Sequence, residues 1–145
     1  MDFSITPDQR LMQDSLVRTL AGASSLDRVR RFAGDPDDKG ADIHAALADF
    51  GLTGIVIPEE FGGLGLRLLD AALAAEALGR SVSPGPFLGA YVLAPLALRL
   101  AGSKAQQSEW LPKIASGEVI AGVAIAEPVA GARDGAGVTA SGGKL

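Results

Sequence analysis

Few side chains in this sequence are of a type and spacing that could do chemistry. The one histidine, His44, sits in an amphipathic stretch with no serine or acid at a partner spacing. Alone, it reads as an exposed or packed helix residue rather than as a base. Glu59 and Glu60 are candidates for a pair of acids. Adjacent side chains point apart, however, and acids commonly precede a turn. Glu76 interrupts an apolar segment, with Arg80 four residues on. That spacing predicts an ion pair on a helix surface. The chain has no cysteine, which removes thiolate nucleophiles, disulfides and Cys-bound metals.

Two backbone-rich segments carry more information. Phe61-Gly62-Gly63-Leu64-Gly65 offers positive φ or close backbone approach. It lacks the Lys-Ser/Thr ending of a phosphate loop. It also lacks the strand–helix setting of a dinucleotide fingerprint. A tight corner between helices is the stronger reading, ahead of ligand contact. The second segment is Ala124–Ala132, a strand end leading into small residues around Glu127-Pro128. Backbone amides in such a place can meet a cofactor, and a plain strand-to-turn junction fits equally.

Helices must position these segments. Thr6-Pro7-Asp8-Gln9 is a capping box that opens a first helix, with Leu11, Met12, Leu16, Val17 and Leu20 at helical spacing. A short helix follows at Leu26–Phe32, then a polar loop over 34–40. Further helices are expected at about Asp42–Phe50, Leu68–Leu78 and Leu88–Leu100, the last with a kink at Pro95. Ser103-Lys104-Ala105-Gln106 caps a final helix reaching about Ala115. Leu52–Ile57 is apolar and β-branched enough to pass for a strand before Pro58. From Val119 the pattern alternates, predicting one or two strands. The expected fold is mainly α. An up-and-down-like domain of about six helices over 1–117 precedes the first strands of a β-barrel-like domain over 118–145. One or two strands cannot bury their own faces, so a truncated chain or gene fragment is expected.

Bulk properties exclude other classes. Apolar residues make up 48% and aromatics 5%, so small aliphatics must form the core, which suits close helix packing. The net charge is −4, and Arg28, Arg30 and Arg31 are followed at once by Asp35, Asp37 and Asp38. No basic face for nucleic acid is expected. The longest uncharged, largely apolar run, Leu88–Leu98, is too short to span a bilayer. The N-terminus lacks the order of a signal peptide. A soluble, cytoplasmic protein is expected.

Four segments together resemble one family. Gly51–Gly65, with its Ile57-Pro58-Glu59-Glu60-Phe61-Gly62-Gly63-Leu64-Gly65, is similar to the helical domain of acyl-CoA dehydrogenases. So are Ala75-Glu76-Ala77-Leu78-Gly79-Arg80 and the run from Gly102 to Glu118. Ala126-Glu127-Pro128 with Ala130-Gly131 resembles the start of that family's β-domain.

The resemblance implies an FAD enzyme that oxidises an acyl-CoA to the 2,3-enoyl-CoA. A carboxylate base removes the α-proton, and a hydride passes to flavin. It further implies electron transfer to an electron-transfer flavoprotein and a homo- or hetero-oligomer. It places the base in a C-terminal domain, outside this sequence, so the chain alone is expected to be inactive. By the resemblance, Val123, Ile125 and Ala126 lie along the flavin, and Gly131 and Ala132 follow at the cofactor loop. Two of these depart from the family pattern: Ala126 stands where a Thr is usual, and Ala132 where a Ser is usual. These departures raise an alternative, a non-catalytic partner subunit of a hetero-oligomeric enzyme. A helical interaction domain unrelated to flavin is a third reading. Small residues such as Ala74, Ala75, Gly89 and Ala90 could leave room for a wide acyl chain, and tight helix packing explains them equally.

Overall fold

The structure, a computed structural model, describes residues 4–123. Six α-helices occupy most of that span: α1 (Pro7–Ala23), α2 (Leu26–Gly34), α3 (Ala41–Asp49), α4 (Leu68–Arg80), α5 (Ala94–Ala101) and α6 (Lys104–Ala115). Two 3-10 turns, Leu52–Gly54 and Glu59–Phe61, lie between α3 and α4, and a π-helix, Phe87–Leu93, leads into α5. The mainly helical expectation holds. Residues 119–123 form no regular element, and the rest of the expected strands lies outside the described residues.

Local chemistry sets the helix ends. Thr6 and Ser103 each accept from the backbone three residues on, and Gln9 and Gln106 reach back to the cap amides. Each reciprocal pair satisfies two donors that the helix would otherwise leave open. Ser25 caps α2 in the simpler way. The loop after α2 is tied down by Arg28. Its guanidinium grips both Asp38, at 2.6 and 3.0 Å, and Asp42, at 2.6 and 2.7 Å. Those bonds hold Asp42 down to about 2 and lower Asp38 as well, and they raise Arg28.

The core is aliphatic. Leu16 and Leu20 of α1, Ile43 and Leu47 of α3, and Ala71, Ala74, Ala77 and Leu78 of α4 meet Leu52, Ile55, Val56 and Tyr91. A smaller cluster joins Ile57 to Leu111 and Ile114 of α6. α1 and α4 are also bridged by a polar pair. Gln9 Nε2 donates to the buried Asp70 carboxylate at 2.8 Å, which also accepts from the Arg67 amide. Burial alone would raise the Asp70 carboxyl. The Gln9 and Arg67 donors outweigh it, and the net shift is downward.

Three expectations change. Leu52–Ile57 is no strand but a wholly buried 3-10 turn and bend, because Gly51 at φ 89 and Pro58 leave no room for an extended run. Of the α1 periodicity only Leu16 and Leu20 are buried; Leu11 and Val17 face outward. The helix expected over Leu88–Leu100 divides at Pro95. Its ring would strike the carbonyl of residue 91, four back, in a continuous α-helix. The preceding turn widens instead: the Ala94 amide donates to the Gly89 carbonyl, five back.

Candidate functional site

The glycine corner carries the family-like motif. Gly62 and Gly65 adopt φ values of 81 and 62°. At Gly63 a Cβ would sit 2.1 Å from the Ile57 carbonyl oxygen. Four backbone bonds knit the corner: Gly63 to Pro58, Leu64 to Gly54, Gly65 to Ile57 and Leu66 to Ile55. Glu59 and Glu60 lie exposed on the turn, and Arg99 of α5 donates to the Val56 carbonyl at 2.7 Å. The corner is thus a self-satisfied brace between α3, α4 and α5. It supplies shape, not reacting groups.

Two apolar grooves lie on either side of the π-helix and α5. The first, of about 280 Å³, is walled by Leu68, Ala72 and Ala75 of α4 against Phe87, Leu88 and Val92. The second, of about 540 Å³, runs between α5 and α6, past Leu98, Trp110 and Ile114 to Ala121, Gly122 and Val123. Val123 is the one expected cofactor residue within the described part, and it lines this groove. Ile125, Ala126, Gly131 and Ala132 lie outside the described residues. Of the small residues expected to leave space, Ala75 lines the first groove, whereas Ala74 and Ala90 are spent on core packing.

His44 differs from its sequence reading. It is half-buried and has two partners. Nε2 lies 3.0 Å from the Gly117 carbonyl, and Nδ1 meets the Tyr91 hydroxyl. A carbonyl can only accept, so Nε2 carries the proton and Nδ1 accepts from tyrosine. The partners are 47 and 73 residues away, and nothing in local spacing announces them. Glu76 behaves as expected: Arg80 Nη2 is 2.6 Å from its carboxylate. Among the described residues no cluster of His, Asp and Glu could hold a metal ion.

The profile described as "Acyl-CoA dehydrogenase, N-terminal domain" matches residues 6–118. The chain belongs to the acyl-CoA dehydrogenase family. Among its relatives, acryloyl-CoA reductase (NADH) of Anaerotignum propionicum is 33% identical over 94% of this chain and 34% of its own length. (2S)-Methylsuccinyl-CoA dehydrogenase of Cereibacter sphaeroides is 36% identical over 83% of this chain and 26% of its own. A solved steroid ACAD, Tcur3481-Tcur3483, superposes with a TM-score of 0.75 at 28% identity, covering 83% of this chain and 33% of that one. The chain therefore spans about a third or less of these relatives. The glycine corner and the helix pair α5–α6 lie within the matched residues 6–118.

Proposed function

We propose that this chain forms the N-terminal wall of an FAD-dependent acyl-CoA dehydrogenase, with residues 1–117 as the helical domain and 118–145 opening the β-domain. The observation that carries this reading is the groove lined by Val123. A flavin ring needs a flat apolar wall and backbone groups along its edge. Trp110, Leu98 and Ile114 provide the wall, and the non-helical backbone of 121–123 runs beside it. Val123, Ile125, Ala126, Gly131 and Ala132 would hold the cofactor through their backbone. When bound, FAD supplies hydride acceptance; the protein orients the acyl group and excludes water. The groove of Leu68, Ala72, Ala75 and Leu88 suits an aliphatic chain. An acyl-CoA is then the substrate, an electron-transfer flavoprotein the electron acceptor, and a homo- or hetero-oligomer the working state.

Among the described residues no Asp, Glu or His lines either groove, and Glu59, Glu60 and Glu76 are absent from both walls. The purified chain alone is therefore expected to give no enoyl-CoA from any acyl-CoA in a dye-reduction assay. Measured turnover would refute the assignment of the base to another domain.

Ala126 and Ala132 favour a second reading, a partner subunit that supports a catalytic homologue. A methyl at 126 cannot donate to the flavin edge, which removes one hydrogen bond worth about 0.5–1.5 kcal/mol. The chain would be co-expressed with a full-length homologue and flavin retention measured, with and without Ala126→Thr. Tighter flavin in the Thr variant supports cofactor binding on this chain. An unchanged, flavin-loaded mixed complex supports the partner role. No flavin in either removes both.

A further inference from the structure

The sequence contains one histidine and one tyrosine, and the fold brings them together. Tyr91 is almost wholly buried, and it lies in the π-helix. Its ring meets Phe87 edge-on, at 6.0 Å between centroids. Phe87, Leu88 and Val92 form one wall of the groove against α4. On the other side, His44 is fixed by the Gly117 carbonyl. Gly117 in turn is wedged against α3, since a Cβ there would lie 2.9 Å from Ala48 Cβ. A continuous line of contacts therefore runs from the end of α6, through the imidazole and the phenol, to the groove.

Pro95 explains why the turn before α5 cannot stay α-helical, but not which residues face the groove once it widens. A π-turn holds one extra residue, so a change of register rotates the side chains of Phe87–Leu93 relative to the α5 helix that follows. An anchored hydroxyl selects one register. We propose that His44 and Tyr91 are positioning residues: the imidazole, held by Gly117, grips the Tyr91 hydroxyl and so fixes the π-helical register that sets Phe87, Leu88 and Val92 in the groove wall. Only the identity of the groove's occupant, an acyl chain, rests on the function proposed above.

The test uses the full 145-residue chain and two conservative variants. Tyr91→Phe removes the hydroxyl alone. His44→Gln keeps a donor where Nε2 stood and offers nothing where Nδ1 stood. Amide hydrogen exchange is followed at Ala94, which makes the five-residue bond, and at Leu20 in the core as a reference. Both variants are expected to exchange Ala94 about tenfold faster while Leu20 stays within about twofold. Leu88 and Val92 methyl resonances are expected to shift in the same samples. A merely structural bond would instead raise Ala94 and Leu20 together. Ala94 exchange unchanged in both variants, or rising only with Leu20, overturns the proposal and leaves Pro95 as the sole cause of the π-turn. Addition of a long-chain acyl-CoA then tests the occupant separately. Perturbed Leu88 and Val92 methyls support it. Unperturbed methyls in the wild type, with the exchange result intact, sink the acyl reading and not the positioning role.

Discussion

Gly63→Ala is the sharpest test of the corner that carries the family-like motif. The new methyl would lie 2.1 Å from the Ile57 carbonyl oxygen and 2.5 Å from Ile57 Cβ. Neither atom is the free end of a flexible side chain. Ile57 is fully buried, and its carbonyl already accepts from the Gly65 amide at 2.8 Å. Relief needs the 57–58 and 63–65 backbones to part by about 1 Å, since carbon–oxygen contacts below roughly 3 Å are not tolerated. Movement on that scale breaks the Gly63–Pro58 and Gly65–Ile57 bonds. Each is worth about 0.5–1.5 kcal/mol. The backbone shift itself adds about 1–3 kcal/mol. The sum is about 2–6 kcal/mol, or at least about 8 °C in melting temperature at roughly 4 °C per kcal/mol.

Two other glycines serve as controls in the same thermal melts followed by circular dichroism. At Gly62 a Cβ meets nothing, but φ is 81°, so Gly62→Ala is expected to cost only about 1–2 kcal/mol. At Gly79, inside α4 with open space around it, Ala is expected to stabilise by about 0.5–1 kcal/mol. A Gly63→Ala melt within about 3 °C of wild type would refute the steric argument, because a 1 kcal/mol change alone moves the midpoint by about 4 °C.

Other substitutions probe separate contacts. Val82 occupies the left-handed position after α4 at φ 49, where its amide bonds Gly79 and the next amide bonds Leu78. This is a glycine-type cap held by an exposed β-branched residue, so Val82→Gly is expected to raise urea-denaturation stability by up to about 1 kcal/mol. Arg28 hydrogen bonds depress the Asp42 carboxyl from 3.8 to about 2. Its stabilising effect is therefore fully present above pH 3.8 and lost as pH falls through about 2; in denaturation at stepped pH, Arg28→Ala should flatten that acid limb. Burial pushes the Tyr91 phenol up from 10.0 to about 12. The stability of its neutral form is thus present below pH 10.0 and lost as pH rises through 12. As the only tyrosine, it should show this directly as a late phenolate absorbance step, and a step near the ordinary value would contradict its burial.

How much of this was legible depended on range. Caps at Thr6 and Ser103, the corner at Gly62–Gly65 and the Glu76–Arg80 pair are written in residues three to five apart, and all appear as read. The four family-like segments were legible in the same way, since each is contiguous. One failure was local, and the others were not. Leu52–Ile57 has strand composition, but the glycine before it and the proline after it decide its shape. The buried face of α4 is Ala71, Ala74, Ala77 and Leu78, while the bulkier Leu68 and Leu69 remain exposed. Hydrophobicity alone points to the wrong side of that helix, because close approach to α1 selects small side chains. Of the expected cofactor residues only Val123 can be placed, and the groove that gives it meaning is built from α5 and α6, up to 29 residues earlier.

His44 is the clearest instance. Within its own helix the imidazole faces no acid, hydroxyl or metal ligand, and on that evidence a packing role is the right inference. Its partners arrive only when α6 ends beside α3 and the π-helix turns Tyr91 inward. The same pair bears on the register of the wider turn that Pro95 imposes. Proline forbids the α-helical bond but is indifferent to what replaces it, and a hydroxyl bonded across the core is not. A local rule thus located the break, and a long-range polar pair gave it a defined geometry beside the groove where an acyl chain would lie.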